Sequence, residues 1–87
     1  MKTTTTVHEV DEPIDVLMIF RHGSMRPVKF KWAGKTYNIT RVTYEWVSKE
    51  GSYPVYHFAV IADGDDVFEI FLNTFTMSWT LAKVHVK

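Results

Sequence analysis

The chain contains no cysteine, which excludes disulfide cross-links and any metal site built on thiolates. Long apolar runs are missing too. None exceeds five residues, the length of Val16 to Phe20, against the roughly 20 that a membrane-crossing helix needs. The opening stretch from Met1 to Pro13 has no apolar core of the kind a secretory signal carries, so a cytoplasmic setting is expected and a membrane partner is not. Net charge is absent, with 10 Lys+Arg against 10 Asp+Glu. That balance argues against a surface tuned as a whole for nucleic acid or an anionic membrane. No segment shows a helical period. No P-loop, GxGxxG fingerprint, nucleophile elbow or paired-carboxylate motif occurs, so neither an enzyme nor a bound cofactor is expected.

What is present is a short, aromatic-rich chain. Its 87 residues make one domain, and 46% of them are hydrophobic and 15% aromatic. A domain this small needs a dense core, a metal, cross-links or a partner, and here large rings supply the bulk. Residues 1–12 are polar and Thr-rich and read as a loose arm, leaving 13–87 as the folded domain. Apolar, β-branched and aromatic residues then recur in strand-like stretches: Ile14 to Phe20, Arg26 to Trp32, Lys35 to Trp46, Val55 to Ala62, Val67 to Asn73 and Trp79 to Val86. The expected fold is a single small all-β antiparallel barrel of about six strands, SH3-like and largely a meander, with an oligonucleotide-binding-type barrel or a β-roll as the alternative.

The second of these stretches alternates cleanly. Val28, Phe30 and Trp32 fall on one face, and Lys29 and Lys31 on the other, the pattern of a half-buried strand. A turn at Ala33-Gly34 pairs Trp32 with Lys35, Phe30 with Tyr37 and Val28 with Ile39. The apolar phase slips between Ile39 and Val42, and a β-bulge at Thr40-Arg41 returns Val42, Tyr44 and Trp46 to the face of Ile39. Phe30, Trp32, Tyr37, Ile39, Trp46, Phe58 and Trp79 are the expected structural core. In the last strand Trp79 and Leu81 read on one face, and Ala82, Val84 and Val86 on the other. Three strands are apolar on both faces, which calls for cover from an arm, a loop or a second subunit.

Charge is segregated along the chain. From Val16 to Tyr44 there are six basic residues, Arg21, Arg26, Lys29, Lys31, Lys35 and Arg41, and no acidic one; from Glu45 to Asn73 there are six acidic residues and one Lys. The basic hairpin of residues 26–41 is the candidate contact surface. Lysines on a solvent face also simply keep a hairpin soluble, and Phe30 and Trp32 point away from them. The favoured function is a non-enzymatic interaction module, working as a homodimer or with a protein partner. A nucleic-acid-binding domain on the same hairpin is the alternative. A weaker third reading is a metal-dependent or hydrolytic site around His57, with Glu69 as its hydrogen-bond partner. Asp63-Gly64-Asp65-Asp66 offers too few oxygens for calcium and reads as a turn. His8, His22, His57 and His85 lack zinc-pair spacing, so no metal is expected.

The run Arg26-Pro27-Val28-Lys29-Phe30-Lys31-Trp32-Ala33-Gly34-Lys35-Thr36-Tyr37-Asn38-Ile39, continuing to Val42 and Trp46, resembles the pattern RP-x-x-F-x-W-x-G-[KR]-x-Y-x-[IV]-x-x-[IV]-x-x-x-W. That pattern belongs to a family of small bacterial β domains of unknown function. Val67 to Phe71 and Trp79-Thr80-Leu81 are similar to its later strands. The resemblance implies an all-β bacterial domain. Similar segments at the ends of proteins related to translesion DNA polymerases imply a DNA-repair setting. The chain departs from the pattern at Tyr53-Pro54, where a Trp pair is common, and in lacking a basic closing strand.

Overall fold

A computed structural model describes residues 5–87 of the protein. It contains β1 (Thr6–Arg21), β2 (Ser24–Trp32), β3 (Lys35–Glu50), β4 (Tyr53–Ala62), β5 (Val67–Asn73) and β6 (Ser78–Val86). Each strand pairs antiparallel with the next, and β1 pairs with β6 to close a barrel. The all-β antiparallel barrel expected from the sequence is the observed fold. Its order is up-and-down, unlike the Greek-key order of an oligonucleotide-binding barrel. Among the described residues no helix is long and apolar enough to cross a membrane.

Two connections are two-residue hairpins with both central residues left-handed: His22-Gly23 (φ 50° and 79°) and Ala33-Gly34 (φ 52° and 81°). That geometry matches the right-handed twist of the flanking strands. The Ala33-Gly34 turn sets Trp32 opposite Lys35 and Phe30 opposite Tyr37, as expected. The third expected pair, Val28 with Ile39, does not form, and the β2–β3 ladder ends at Lys29 opposite Asn38. The reason is a bulge at Val28, where Leu17 faces Lys29 and Met18 faces Pro27. Pro27 takes the inward place and is fully buried; lacking an N–H, it leaves no donor stranded there.

Further bulges decide which side chains reach the core. The one expected at Thr40 is present, between Ile39 opposite Ala62 and Arg41 opposite Ile61. A second, at Thr43, lies between Val42 opposite Val60 and Tyr44 opposite Ala59. Both skipped residues are threonines whose hydroxyls donate to the facing strand, Thr40 to the Ile61 carbonyl at 3.2 Å and Thr43 to the Ala59 carbonyl at 3.0 Å. The second bulge corrects the core assignment of Trp46: it turns Tyr44 and Trp46 outward, and Trp46 is absent from the core cluster. A bulge at Ala82, between Leu81 opposite Ile70 and Lys83 opposite Glu69, corrects the reading of β6. Trp79, Leu81, Val84 and Val86 all join the core, where two opposed faces were expected.

The loose arm expected over 1–12 is also corrected. Residues 1–4 lie outside the described residues, but from Thr6 the chain is strand, with Thr6, Val7, His8 and Glu9 opposite Val86, His85, Val84 and Lys83. Ladder bonds need only backbone groups, and the open edge of β6 supplies them. Polar side chains suit the wet face, while Val10 packs on the core.

The core centres on Phe30, Phe58, Val60, Phe68, Ile70 and Leu81, each at most 4% exposed. Of the expected core residues, Phe30 and Phe58 are buried, and Trp32, Tyr37, Ile39 and Trp79 pack half-buried around them. Among the described residues no polar or charged side chain is buried. The up-and-down order places the β1–β2, β3–β4 and β5–β6 turns at one end, the tip. The other two turns, Thr6 and Val86 lie at the opposite end, the mouth.

Candidate functional site

The six expected basic residues are all exposed, but they do not form one row. Lys29 and Lys31 share the outer face of β2, with Asp15 opposite Lys31. Phe30 and Trp32 point inward from the same strand, so their rings do not share a surface with those ammonium groups. Lys35 turns to the mouth, its Nζ 4.7 Å from the centroid of the Tyr37 ring. Arg21 and Arg26 stand on the β1–β2 hairpin, opposite Ser24 and Ile19. Arg41 sits across a gap from Arg26, where both line a cavity of about 120 Å³ with Pro27 and Thr40.

The second bulge in β3 builds an aromatic row on the outer wall. Trp46 faces His57, and His57 faces Phe71. The Trp46 and His57 rings stack at 4.9 Å and 8°, with Phe71 5.5 Å beyond His57 and Tyr44 5.4 Å from Trp46. His57 Nε2 lies 2.7 Å from the Ser48 hydroxyl. Burial under the stacked rings holds the imidazole below its ordinary pKa, and the Glu69 carboxylate pulls the other way. Glu69 is not the hydrogen-bond partner expected for His57, since it accepts from His85 Nε2 at 2.5 Å. Nucleophilic catalysis of the Ser-His type needs a group that orients the imidazole from its far nitrogen, and this carboxylate is engaged elsewhere. Ser48 was missed in the sequence because its neighbourhood depends on the hairpin register, which sets Ser48 opposite Val55 and Trp46 opposite His57. Among the described residues no group of three or more His, Asp or Glu side chains could hold a metal.

Two features of the ends emerge only in three dimensions. At the tip, the β1–β6 ladder stops at Ile14 opposite Trp79, while β1 and β2 stay paired out to Arg21 and Ser24. The β1–β2 hairpin therefore leaves the wall as a two-stranded ribbon. Beyond Lys29 and Asn38 the facing edges of β2 and β3 have no ladder to each other. Farther out, a cavity of about 330 Å³ separates Gly23, Ser24 and Met25 from Trp46, Val47 and His57. Among the described residues, five of the nine exposed large hydrophobics stand on these two arms, Leu17, Ile19, Phe20, Tyr44 and Val47, and three more, Tyr53, Phe75 and Met77, at the β3–β4 and β5–β6 turns. Phe20 is 72% exposed and Met77 70%. Tyr53 and Phe75 join their two turns edge to face at 4.8 Å.

At the mouth, a cavity of about 290 Å³ is walled by Trp32, Tyr37, Phe68 and Val84 and rimmed by His8, Lys35, Asp63 and Asp66. Asp63 to Asp66 form the β4–β5 turn, with Asp63 and Gly64 both at positive φ. Compared with family models, with curated proteins and with solved structures, the chain matches none of them.

Proposed function

We propose that the protein is a non-enzymatic interaction module that pairs with a second copy of itself through the tip. The observation that carries this reading is that the β1–β2 ribbon and the β3 arm, with no β2–β3 ladder beyond Lys29 and Asn38, leave Leu17, Ile19, Phe20, Tyr44 and Val47 exposed. Apolar patches beyond a few hundred Å² are rarely left in water, and open strand edges invite strand addition. A second copy is favoured as occupant by charge. The β1–β2 ribbon carries Arg21 and Arg26, and the β3 arm beside it carries Glu45 and Glu50 together with Arg41 and Lys49. In a two-fold pair residue i of one copy meets residue j of the other and j meets i, so Arg21 and Arg26 of one copy can face Glu45 and Glu50 of the other.

Sedimentation equilibrium tests it. A mass of twice 10.2 kDa that reverts to the monomer in Phe20→Asp is the expected result. A wild-type chain that stays monomeric at millimolar concentration overturns it. The nucleic-acid reading rests on the exposed Lys29 and Lys31 alone. Its signature is binding to single-stranded DNA that weakens as salt rises and is lost in Lys29→Glu, Lys31→Glu.

A further inference from the structure

The mouth is a second site, independent of the tip. The Ala33-Gly34 turn brings Trp32, Lys35 and Tyr37 together, the β4–β5 turn brings Asp63 and Asp66, and β1 and β6 close the far wall with Val10 and Val86. Tyr37 is stacked on Phe30 at 4.9 Å and 8°, so one face of its ring is taken. Phe68 and Trp32 stand 5.2 Å and 6.0 Å from it. The Lys35 ammonium, 4.7 Å from the ring centroid, occupies the other face. The chain thus shows what this aromatic wall accepts, an ammonium on an aliphatic stem. The surrounding charge agrees. Asp63 and Asp66 stand on the rim, and Glu12 accepts from Trp32 Nε1 at 2.8 Å. Among the described residues the ion pairs are Lys83 with Glu9 and His85 with Glu69, so neither rim carboxylate is in one, and Asp66 Oδ1 accepts only from the Lys87 backbone N–H, at 3.5 Å. Aromatic faces and carboxylates together favour a weakly hydrated organic cation. A cavity at the small end of the roughly 300–1,000 Å³ range of ligand pockets suits a compact one.

We propose that the mouth binds a small organic cation of the alkyl- or trimethylammonium class, and that Lys35 is an intramolecular occupant which the ligand displaces. Displacement is easy because Lys35 is exposed and its ammonium returns to water.

The test is a titration of the isotope-labelled protein with choline and, separately, with choline's neutral carbon isostere, following the Trp32 indole N–H signal by NMR. Choline is expected to shift that signal with a Kd on the order of millimolar, and the isostere to leave it in place. Lys35→Ala removes the competitor and should tighten choline binding by about two- to fivefold, the worth of one exposed cation–π contact. The double change Asp63→Asn, Asp66→Asn should weaken binding while the amide spectrum stays that of the folded barrel. A peptide carrying trimethyllysine, run in parallel, separates the sources of this chemistry. Tighter binding of the peptide assigns the site to a polypeptide side chain, and tighter binding of choline to a free cation. Equal shifts from choline and its isostere, no shift from choline or the peptide, or weaker binding in Lys35→Ala would each overturn the proposal.

Discussion

Replacing Phe20 with Asp separates folding from association. Phe20 stands on the β1–β2 ribbon with 72% of its surface in water, so the monomer loses little contact when it is removed. A surface substitution of this kind changes monomer stability by within about 0.5 kcal/mol. Association is another matter. A Phe offers roughly 200 Å², and the 72% still exposed leaves about 140 Å² to bury against a partner. At about 25 cal/mol per Å² that is about 3.5 kcal/mol per copy, and about 7 kcal/mol for the two symmetric copies. Ordering of side chains and imperfect packing consume part of it, so a loss of about 3 kcal/mol, or roughly 100-fold in the dimerisation constant, is the smallest effect consistent with the proposed interface. Sedimentation equilibrium reads that change directly. Thermal melts give a second readout: the wild-type Tm should climb with protein concentration and that of Phe20→Asp should not, the two curves meeting at high dilution. An associating wild type whose mass Phe20→Asp leaves unchanged would refute the placement of the interface. A variant destabilised at every concentration would show that Phe20 serves the monomer instead.

Three other outcomes follow from the geometry. Thr40→Val and Thr43→Val remove the hydroxyls that satisfy the Ile61 and Ala59 carbonyls at the two bulges, and each should lower the urea-unfolding free energy by about 0.5–1.5 kcal/mol with no change in m. If both are neutral, the hydroxyl bonds do not hold the bulges. The His57 imidazole sits below its ordinary pKa of 6.5, first through burial and against the pull of Glu69. At neutral pH both folded and unfolded chains hold it uncharged. As pH falls below 6.5 the unfolded chain takes up the proton first, so this residue's share of stability fades and levels off below the folded-state value. Urea midpoints against pH should show that slope in wild type and a flatter one in His57→Phe, which keeps a ring against Trp46; parallel curves would count against the assignment. Lys35→Ala should lower urea stability by no more than about 1 kcal/mol, the worth of the exposed cation–π contact it loses, even as it opens the mouth to cations, and a larger loss would make Lys35 a structural clamp.

The parts of this fold that were legible in the sequence are those governed by neighbours along the chain. Lys29 and Lys31 alternate with Phe30 and Trp32, and a pleated strand sends the two sets apart whatever surrounds it. Ala33-Gly34 fixes the register beside it for the same local reason. The slip of apolar phase between Ile39 and Val42 announced the bulge at Thr40, because an unbroken strand would have turned one set outward. The bulge at Thr43 left no such mark. Val42, Tyr44 and Trp46 read as continuous alternation, and only the inward demand of Val60 and Phe58 on β4 shows that Tyr44 and Trp46 face out. At Ala82 the phase slips in the same way, from Trp79 and Leu81 to Val84 and Val86 with Lys83 and His85 polar between them, but Ala82 is itself apolar and made the slip read as a second apolar face. Residues 6–9 looked like an arm because a strand held by backbone bonds on an outer wall needs no apolar pattern of its own. The mouth was invisible because His8, Lys35 and Asp66 meet only through barrel closure.

The tip is a consequence of strand lengths. A closed barrel is no taller than its shortest strand allows, and β5 has seven residues, or about 23 Å at roughly 3.3 Å per residue. β1 and β3 have 16 residues each, about 53 Å if straight, more than the 44 Å length of the whole molecule. The bulges at Thr40 and Thr43 in β3 and a register shift between Glu9 and Glu12 in β1 absorb part of the excess by bending the two strands. The rest, about 20 Å of ribbon by the same rise per residue, has to project beyond the closed wall. Met18 and Met25 on that ribbon still pack against the core, but Leu17 and Ile19 alternate to the other face and Phe20, nearer the turn, stays 72% exposed. A chain free to vary would place polar residues there, as it does on the outer face of β2 with Lys29 and Lys31. Leu17, Ile19 and Phe20 on one arm, with Tyr44 and Val47 on the other, are the reverse choice. Any burial of them beyond this would come from outside the monomer, which is why the state of association is the first property to measure.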